Sequence, residues 1–587
     1  MMPVPPQRSC NLLLEGGITS GIVYPALITT LAETYRFRHV GGTSAGAIGA
    51  AFTAAAEYAR SGTIPYDGMA VIDRLAADLG KPISQTPGAP LLLQALFQPT
   101  DQTRGTFELL SATLASDRLT RLPLKALAQQ PLAGLLGALP GLGVVGLTQA
   151  AGRPPVQAGG LALGGVLAVV GAVTATLAGG VLRGRQALEA SRYGVCPGHM
   201  PPDYSPPALT DWLSQAINEV AGLPRDGAPL TFADLEGRGV TLRTITTCLT
   251  LGRPYSLPFA NNLFYFKKDE MRALFPDAVV RHLVNHGRQP ANLDEKKLYA
   301  SLAQREIYPL PEGKNLPVVV AVRLSLSFPI LISAVQLHAV DYSRPMPPGG
   351  YDATPVLFTD GGLSSNLPLH FFDSALPEYP TFAVNLRSFP EGQVPDPDEA
   401  KNVWLPERSV QGRLPEFRPV KDLSGFGEGI LDTSRNWKDG IYITAPGYRD
   451  RIVHVHLDGR VEGGLNLSMD NTVVQRLVKR GQAAAQALID KFSSPDAWNR
   501  HRRVRLVNLL CAVADVGREY EAAFASPEGT MSWDAVLAGE DLGYSFADSE
   551  AAQFNDISTK LREIGQIDAT MDNRPKPYQQ LRLILEP

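Results

Sequence analysis

Two glycine-rich turns near the start of the chain, each between a short apolar run and a helical pattern, constrain the fold more than any other feature. The apolar run Cys10–Leu14 ends at Glu15-Gly16-Gly17, and Ile22–Leu31 then has a helical pattern. A second short run, Arg38–Gly41, is followed after its own turn by the alanine-rich stretch Ala45–Arg60, which has a high helix propensity. Strands that alternate with helices in this way predict a parallel α/β sheet.

The composition limits the class of protein. The chain has 587 residues, of which 44% are hydrophobic and 19% are charged, which is typical of a globular protein of several domains and excludes wholesale disorder. A formal net charge of −4 gives no sign of a nucleic-acid partner. The four cysteines are too few and too scattered for a disulfide framework. No signal-peptide pattern opens the chain, so we expect a cytoplasmic or membrane-associated protein.

Further strands and helices are predicted along the rest of the chain. Apolar runs with turn residues around them indicate strands at Val240–Leu249, Val318–Arg323, Val356–Phe358, Thr381–Leu386 and Arg451–Leu457. Helical patterns follow at Thr472–Phe492 and Arg502–Phe524. The end of the chain is polar and mixed, and we expect it to be a helical appendix.

A long apolar segment interrupts the α/β pattern. Within Ala126–Leu182 the one charged residue is Arg153, and Ala158–Leu182 is an uncharged stretch of 25 residues. As a helix this stretch would be about 37 Å long, which is enough to cross a bilayer. Together with Pro131–Leu147 it predicts a helical hairpin at 131–182 that inserts into a membrane or docks on its surface. The glycine- and alanine-rich composition fits a buried helix pair or an apolar cap equally well, so both interpretations stay open.

The second glycine turn has the sequence Gly42-Thr43-Ser44-Ala45-Gly46, which matches the G-x-S-x-G pattern of a nucleophile elbow. A nucleophilic serine has to project from a sharp, strained turn, so its neighbours two before and two after must be small, as Gly42 and Gly46 are. The following helix directs its first N–H groups towards Ser44, where an oxyanion would develop. The alternative is an ordinary glycine-rich turn in which Ser44 caps the helix.

The first glycine turn, Glu15–Gly21, lacks both common phosphate-binding patterns. Ile18 stands where G-x-G-x-x-G requires its second glycine, and no Gly-Lys-Ser/Thr follows. A nucleotide-binding loop is therefore the minor alternative. We interpret the turn as an oxyanion hole, because glycine lets the main-chain N–H groups of Gly16 and Gly17 approach a tetrahedral intermediate closely.

A nucleophilic serine also needs a base. The apolar run Pro355–Phe358 leads into Thr359-Asp360-Gly361-Gly362, which puts a carboxylate on a tight turn at the end of a strand. The same sequence also fits a turn without a catalytic role. His370 follows ten residues later and would complete a triad, but it lies in an apolar run, and we expect it to be a packed helix histidine.

Together the three elements resemble the patatin-like phospholipase family. That family has a glycine-rich oxyanion loop after its first strand, a G-x-S-x-G elbow, and later a D-G-A/G motif followed by N-x-P. In this chain the last motif is Asp360–Gly362 with Asn366 and Pro368. The resemblance covers residues 9–60 and 235–390 and extends towards residue 490.

The resemblance implies a Ser–Asp dyad in which Ser44 is the nucleophile and Asp360 is the general base, with no metal and no cofactor. The sequence departs from the family pattern in the oxyanion loop. Ile18 stands where the third glycine is usual, although its N–H can still be a donor alongside Gly16 and Gly17. Ser20 stands where the family usually has a basic residue, which bears on any preference for an anionic headgroup.

We therefore expect an α/β, patatin-like three-layer fold with a mostly parallel central sheet, an apolar insertion and a helical C-terminal region. The expected divisions are a core in two parts, 9–104 and 236–492, an insertion at 105–235 and a helical appendix at 493–587. The expected function is that of a serine lipid acyl hydrolase acting on lipid or phospholipid esters at a membrane surface. The alternative is a catalytically silent, membrane-associated scaffold. Lipid preference and oligomeric state stay open.

Overall fold

A computed structural model of the protein describes most of the chain outside the apolar segment. The described residues are 6–17, 20–62, 66–87, 89–108, 138–139, 142, 145, 182–201, 204–343, 351–390, 392–409, 420–459, 461–462, 469–524 and 548–567. The hairpin predicted at 131–182 lies outside them apart from isolated positions, and so does Ile18. Within these ranges no helix combines the length and the apolar character that crossing a membrane requires.

Thirteen strands lie in the described part of the chain: β1 Arg8–Leu14, β2 Tyr35–Gly42, β3 Gly194–Cys196, β4 Thr241–Cys248, β5 Arg253–Leu257, β6 Phe264–Lys267, β7 Ile307–Pro309, β8 Ile330–Ile332, β9 Val335–Val340, β10 Ala353–Asp360, β11 Thr381–Ser388, β12 Val403–Trp404 and β13 Ile452–Leu457. The α-helices with defined bounds are α1 Tyr24–Ala32, α2 Ala45–Arg60, α3 Gly68–Leu79, α4 Leu92–Ala95, α5 Leu209–Val220, α6 Phe232–Glu236, α7 Lys268–Arg272, α8 Asp277–Asn285, α9 Leu293–Ala303, α10 Val318–Ser325, α11 Leu423–Thr444, α12 Asn471–Ser493, α13 Pro495–Phe524 and α14 Asp548–Gly565. Short 3-10 turns occur at Ser20–Val23, Gly313–Asn315, Gly361–Leu363, Glu399–Asn402 and Arg449–Arg451.

The central sheet contains eleven of the described strands. Their order is β12-β13-β11-β1-β2-β4-β10-β9-β6-β7, and β5 pairs with β4. The central strands β13, β11, β1, β2 and β4 are parallel, whereas the outer strands pair antiparallel. The predicted α/β class is therefore confirmed. Because β1 and β2 are parallel neighbours, the two glycine turns that follow them meet at one edge of the sheet.

Helices cover both faces of the sheet, as the predicted three layers require. Strand β1 shows the division, because its side chains alternate between the faces. Leu12 and Leu14 belong to the main hydrophobic core, which includes α1, α2 and α12. Leu13 belongs to a smaller core on the other face, where Leu367 and Tyr448 pack. All three leucines of β1 are fully buried.

Most predicted elements are confirmed with shifts of a few residues, but the strand predicted at Val318–Arg323 is wrong. This segment is helix α10, which follows Pro317 and ends at Ser325. All eight residues of α10 are buried. Because a helix buried on every side needs no polar face, its first five residues are all apolar and have no period that separates helix from strand. The run of valines favoured a strand, and tertiary packing overrides that weak preference.

Candidate active site

Ser44 lies between β2 and α2 in a strained backbone conformation. Its φ is 54° and its ψ is −127°, a combination that serine rarely adopts. Ser44 occupies the N-cap position of α2, yet its side chain makes no capping hydrogen bond to the main chain of this helix. The structure therefore differs from the alternative in which Ser44 is an ordinary cap, and the hydroxyl is left for another partner.

The two glycines of the elbow are required by close main-chain contacts. A Cβ atom on Gly42 would lie 2.2 Å from the carbonyl oxygen of Gly46. A Cβ atom on Gly46 would lie 2.3 Å from the carbonyl oxygen of Leu14, at the end of β1. Both distances are far below a van der Waals contact, so the turn can form only with glycine at these positions.

Asp360 ends β10, which is separated from β2 and the elbow by the single strand β4. Gly42 of β2 pairs with Thr244 of β4, and Asp360 pairs with Thr246, two residues further along the same strand. The Asp360 side chain is 2% exposed, and its Oδ1 accepts a hydrogen bond of 2.7 Å from the N–H of Gly362. The register therefore brings this carboxylate to the edge of the sheet that holds Ser44.

The electrostatics of Asp360 suit a proton acceptor. Burial raises the pKa of Asp360 to about 6, against the opposing effects of the Ser44 hydroxyl, the Gly362 N–H and the Arg435 cation. No described residue makes a well-aligned hydrogen bond to its Oδ2, which is buried. Oδ2 is thus the oxygen available for a proton, and at neutral pH the carboxylate is largely ionised.

The first glycine turn lies directly against Ser44. A Cβ atom on Gly16 would lie 3.0 Å from Cβ of Ser44. The N–H of Gly16 already donates to the carbonyl oxygen of Asn366 over 3.0 Å, which differs from the predicted role of this N–H in an oxyanion hole. The N–H of Gly17 has no acceptor among the described residues. Ile18, the third predicted donor, lies outside those residues.

Glu15 holds the glycine turn in place from inside the protein. Its buried carboxylate accepts hydrogen bonds of 2.8 Å from the side-chain amides of Asn366 and Asn385, and another from the N–H of Leu386. Burial raises the pKa of Glu15 to about 7. These contacts link the strand ends of β1 and β11 to the segment after Asp360, so the two glycine-rich elements form one unit.

Helix α11 supplies two residues that the sequence analysis missed. Arg435 donates to the carbonyl oxygen of Gly362 over 3.3 Å and to Oδ1 of Asn366 over 3.1 Å. Asp439, one turn later, accepts from the N–H groups of Asn366 and Leu367 over 2.7 and 2.9 Å. The four-residue spacing that puts both side chains on one helix face is visible in the sequence, but the helix itself was not predicted.

Two further residues define the surroundings of Ser44. The N–H of Ser44 donates to Oγ of the buried Ser325, at the end of α10, over 3.1 Å. His370 lies in a turn and not in the predicted helix, with its ring against Phe371. Burial, with a smaller effect of Lys438, lowers the pKa of His370 to about 4, and no contact joins it to Asp360. A histidine with this pKa is a weak base at neutral pH.

The site is built from a serine, carboxylates and main-chain donors. Among the described residues, no group of three or more histidine, cysteine or acidic side chains is arranged to hold a metal ion. A strained serine beside a buried carboxylate at the edge of an α/β sheet is an arrangement suited to covalent acyl transfer. The fold and the site thus define an α/β protein with a candidate serine–aspartate centre.

Comparison with known proteins identifies the family. The RpoH suppressor of Rhizobium meliloti (strain 1021) is 36% identical over 668 aligned positions, which cover 98% of this chain and 99% of that protein. The chain belongs to the family of this RpoH suppressor. A scan against models of protein families gives no match.

Two solved structures are similar at low level. VipD from Legionella pneumophila has a TM-score of 0.27 and 13% identity, covering 95% of this chain and 86% of VipD. The type III effector protein ExoU has a TM-score of 0.24 and 14% identity, covering 96% of this chain and 71% of ExoU. Similarities of this size carry no information on activity.

Proposed function

We propose that this protein is a serine lipid acyl hydrolase that cleaves carboxylic esters through a Ser44–Asp360 dyad. The observation that carries the proposal is the geometry of Ser44. Its backbone is strained and its hydroxyl does not cap α2. The hydroxyl instead favours the ionised form of the buried Asp360, whose Oδ2 accepts no well-aligned hydrogen bond from any described residue. An ordinary capped turn needs none of these features, whereas a nucleophile and its base need all of them.

The proposed reaction has two steps. Oγ of Ser44 attacks the acyl carbonyl while Asp360 accepts the hydroxyl proton and then gives it to the leaving alcohol, which leaves an acyl-serine. In the second step Asp360 takes a proton from water, the resulting nucleophile attacks the acyl-serine, and the proton returns to Ser44 as the carboxylic acid leaves. The N–H of Gly17, with that of Ile18, would stabilise the oxyanion of both tetrahedral intermediates.

The proposed substrate and partner are a lipid ester and a lipid surface. The lipid assignment rests on the resemblance of the glycine turn, the elbow and the Asp-Gly-Gly turn to patatin-like phospholipases. The proposed contact with a membrane surface rests on the apolar composition of Ala126–Leu182. The divisions 9–104, 105–235, 236–492 and 493–587 are likewise proposals.

The experiment that tests the proposal compares Ser44→Ala, Asp360→Asn and wild type with chromogenic acyl esters. We expect each substitution to lower kcat/KM by about 10⁴-fold or more, because a nucleophile and its base act as one unit. A fluorophosphonate probe should label wild type at Ser44 and leave Ser44→Ala unlabelled.

His370→Ala is the control for the choice of base. Because His370 makes no contact with Asp360, we expect this variant to keep most of the wild-type activity. A loss similar to that of Asp360→Asn in a folded His370→Ala protein would assign the base to a histidine instead. Absence of both labelling and hydrolysis in wild type would favour the alternative, a catalytically silent scaffold.

A further inference from the structure

An apolar cavity of about 140 Å³ lies beside the candidate site and has no role in the mechanism above. Its walls come from α1, α2, α3, α4, α5 and α12, and none of the described lining residues is charged. Voids that exceed a water molecule are few in folded proteins, and apolar ones stay dry. A cavity of this kind is therefore a site for an apolar ligand and not for a headgroup.

One end of the cavity adjoins Ser44. Three of its lining residues are close in sequence to Ser44 itself, to the first glycine turn or to Ser325. Ala45 directly follows Ser44, and Gly21 ends the first glycine turn. Leu326 follows Ser325, whose Oγ accepts the N–H of Ser44. A chain attached to a carbonyl carbon at Ser44 would therefore find the apolar walls immediately behind the reacting bond.

The cavity has an aromatic boundary further along α2. Ala45, Ile48 and Phe52 line it from one face of that helix, at the spacing of successive turns. Phe52 lies about 12 Å from Ser44 along the axis, at 1.5 Å per residue. Its ring meets the indole of Trp212 edge to face, with centroids 5.9 Å apart. Both rings are nearly fully buried.

We propose that this cavity holds the first part of the acyl chain and limits its length to about six to eight carbons. The limit follows from volume, since an apolar cavity of about 150 Å³ binds benzene, a molecule of six carbons. Each methylene buried from water strengthens binding about fourfold, so chains up to the limit gain in binding and longer ones do not. The inference rests on the proposed hydrolase function and names the substrate class within it.

Adjacent alanines on α3 allow a matched test. Ala76 lines the cavity, whereas Ala77 is exposed on the same helix. Ala76→Phe should fill the cavity, and Ala77→Phe makes the same chemical change outside it. Ala77 lies outside the cavity and contacts neither Ser44 nor Asp360, so Ala77→Phe should leave the chemistry at the dyad intact.

The first measurement is the hydrolysis of 4-nitrophenyl acetate, hexanoate and dodecanoate. We expect wild type and Ala77→Phe to prefer hexanoate to acetate by at least about tenfold in kcat/KM, and to prefer it to dodecanoate. Ala76→Phe should lose the preference for hexanoate over acetate, whereas Ala77→Phe should keep the wild-type rate with all three esters. If active Ala76→Phe has the chain-length profile of wild type, the proposal is overturned.

The second measurement does not depend on activity. In a Ser44→Ala background, 6-bromohexanoate should quench the emission of Trp212, and the Trp212→Phe protein identifies that signal among the five tryptophans. Quenching should disappear with Ala76→Phe and persist with Ala77→Phe. Quenching without any ester hydrolysis in wild type would contradict the proposed function while supporting the acyl cavity. Hydrolysis without quenching of Trp212 would contradict the proposed role of the cavity in binding the acyl chain and would leave the proposed hydrolase function unaffected.

Discussion

Ser44 has a conformation that is costly for a serine, and the local main chain explains how it is kept. A φ of 54° in a non-glycine residue costs about 1–3 kcal/mol. Main-chain hydrogen bonds on both sides offset this strain, from Thr43 N–H to Leu14 and from Gly46 N–H to Thr43. Because the sharp turn itself requires Gly42 and Gly46, the position of Ser44 could be predicted from five residues of sequence, although the contact with Leu14 of β1 could not.

The residues around the carboxylates were harder to predict. The sequence indicated that Asp360 ends a strand, but it did not indicate that Gly16 would bond Asn366, some 350 residues away in the chain. Nor did it indicate the buried position of Glu15, which depends on amide groups of two other segments. Long-range polar contacts of this kind have no period or spacing, so a single sequence does not reveal them.

The pH dependence of activity should reflect the ionisation of Asp360. A general base must be ionised, and the pKa of Asp360 is raised to about 6 chiefly by burial. We therefore expect kcat/KM for a soluble ester to fall as the pH drops below about 6. Arg435 lowers that pKa, so Arg435→Gln should raise it and move the acidic limb to higher pH.

The control for this prediction is Lys438→Gln, which removes a cation from the same helix. Lys438 affects the pKa values of His370 and Asp439, whereas Arg435 is the cation that acts on Asp360. The acidic limb should therefore stay in place. An equal displacement in both variants would mean that the limb reports general charge and not the Arg435–Asp360 pair.

Among the elements, α11 most affects the site and was absent from the sequence prediction. Its sequence contains four glycines, which lower helix propensity by about 1 kcal/mol each relative to alanine. Asp422 caps its first turn by accepting the N–H of Gly425 over 2.7 Å. The helix is held by tertiary contacts through Arg435 and Asp439, and local propensity gives no hint of such contacts. At α10 the sequence did predict a regular element, but its run of valines favoured a strand where the structure has a helix.

Asp439 should be a structural support of the turn that carries Asp360. It accepts two hydrogen bonds from main-chain N–H groups and one from Oγ of Ser365, which its two oxygens share, and it is nearly fully buried. Each buried donor left without a partner costs about 1–3 kcal/mol. We expect Asp439→Ala to lower the free energy of unfolding by at least about 3 kcal/mol in urea titrations, with a parallel loss of ester hydrolysis.

Two other variants on α11 bracket this result. Asp439→Asn keeps one oxygen that can accept hydrogen bonds, so its loss of stability should be smaller. Asn436→Ala removes a polar side chain for which the described residues show no hydrogen bond, and it should change the free energy of unfolding by less than about 0.5 kcal/mol. If Asp439→Ala and Asn436→Ala have equal free energies of unfolding, Asp439 does not stabilise the turn that carries Asp360.

For the whole molecule, α12 joins the C-terminal part of the sheet to the N-terminal site. Arg480 is fully buried and binds Glu399 and Glu462 as well as the carbonyl oxygen of His456, the last over 2.6 Å. Breaking such a pair by removing one partner costs about 3–5 kcal/mol, because the remaining charges stay buried. The ion pairs therefore fix where α12 lies beneath β13.

Gly481, the residue after Arg480, packs closely against the segment that follows the first glycine turn. A Cβ atom on Gly481 would lie 2.2 Å from the carbonyl oxygen of Val23. Val23 ends the 3-10 turn Ser20–Val23, and the N–H of Gly21 in that turn donates to the carbonyl oxygen of Gly17 over 3.2 Å. The close approach of α12 thus positions the segment that carries the proposed oxyanion donor.

Gly481→Ala tests this long-range support. Alanine favours a helix by about 1 kcal/mol over glycine, but overpacking against a main-chain oxygen costs about 1–3 kcal/mol. We expect a net loss of about 0–2 kcal/mol in the free energy of unfolding. We also expect kcat/KM to fall by about tenfold or more, because the Gly17 N–H is displaced. Gly427→Ala is the matched control, since nothing lies within 4 Å of its added methyl group. That variant should be about 0.5–1 kcal/mol more stable with unchanged kcat/KM. If Gly481→Ala is folded and as active as Gly427→Ala, α12 does not set the geometry of the glycine turn.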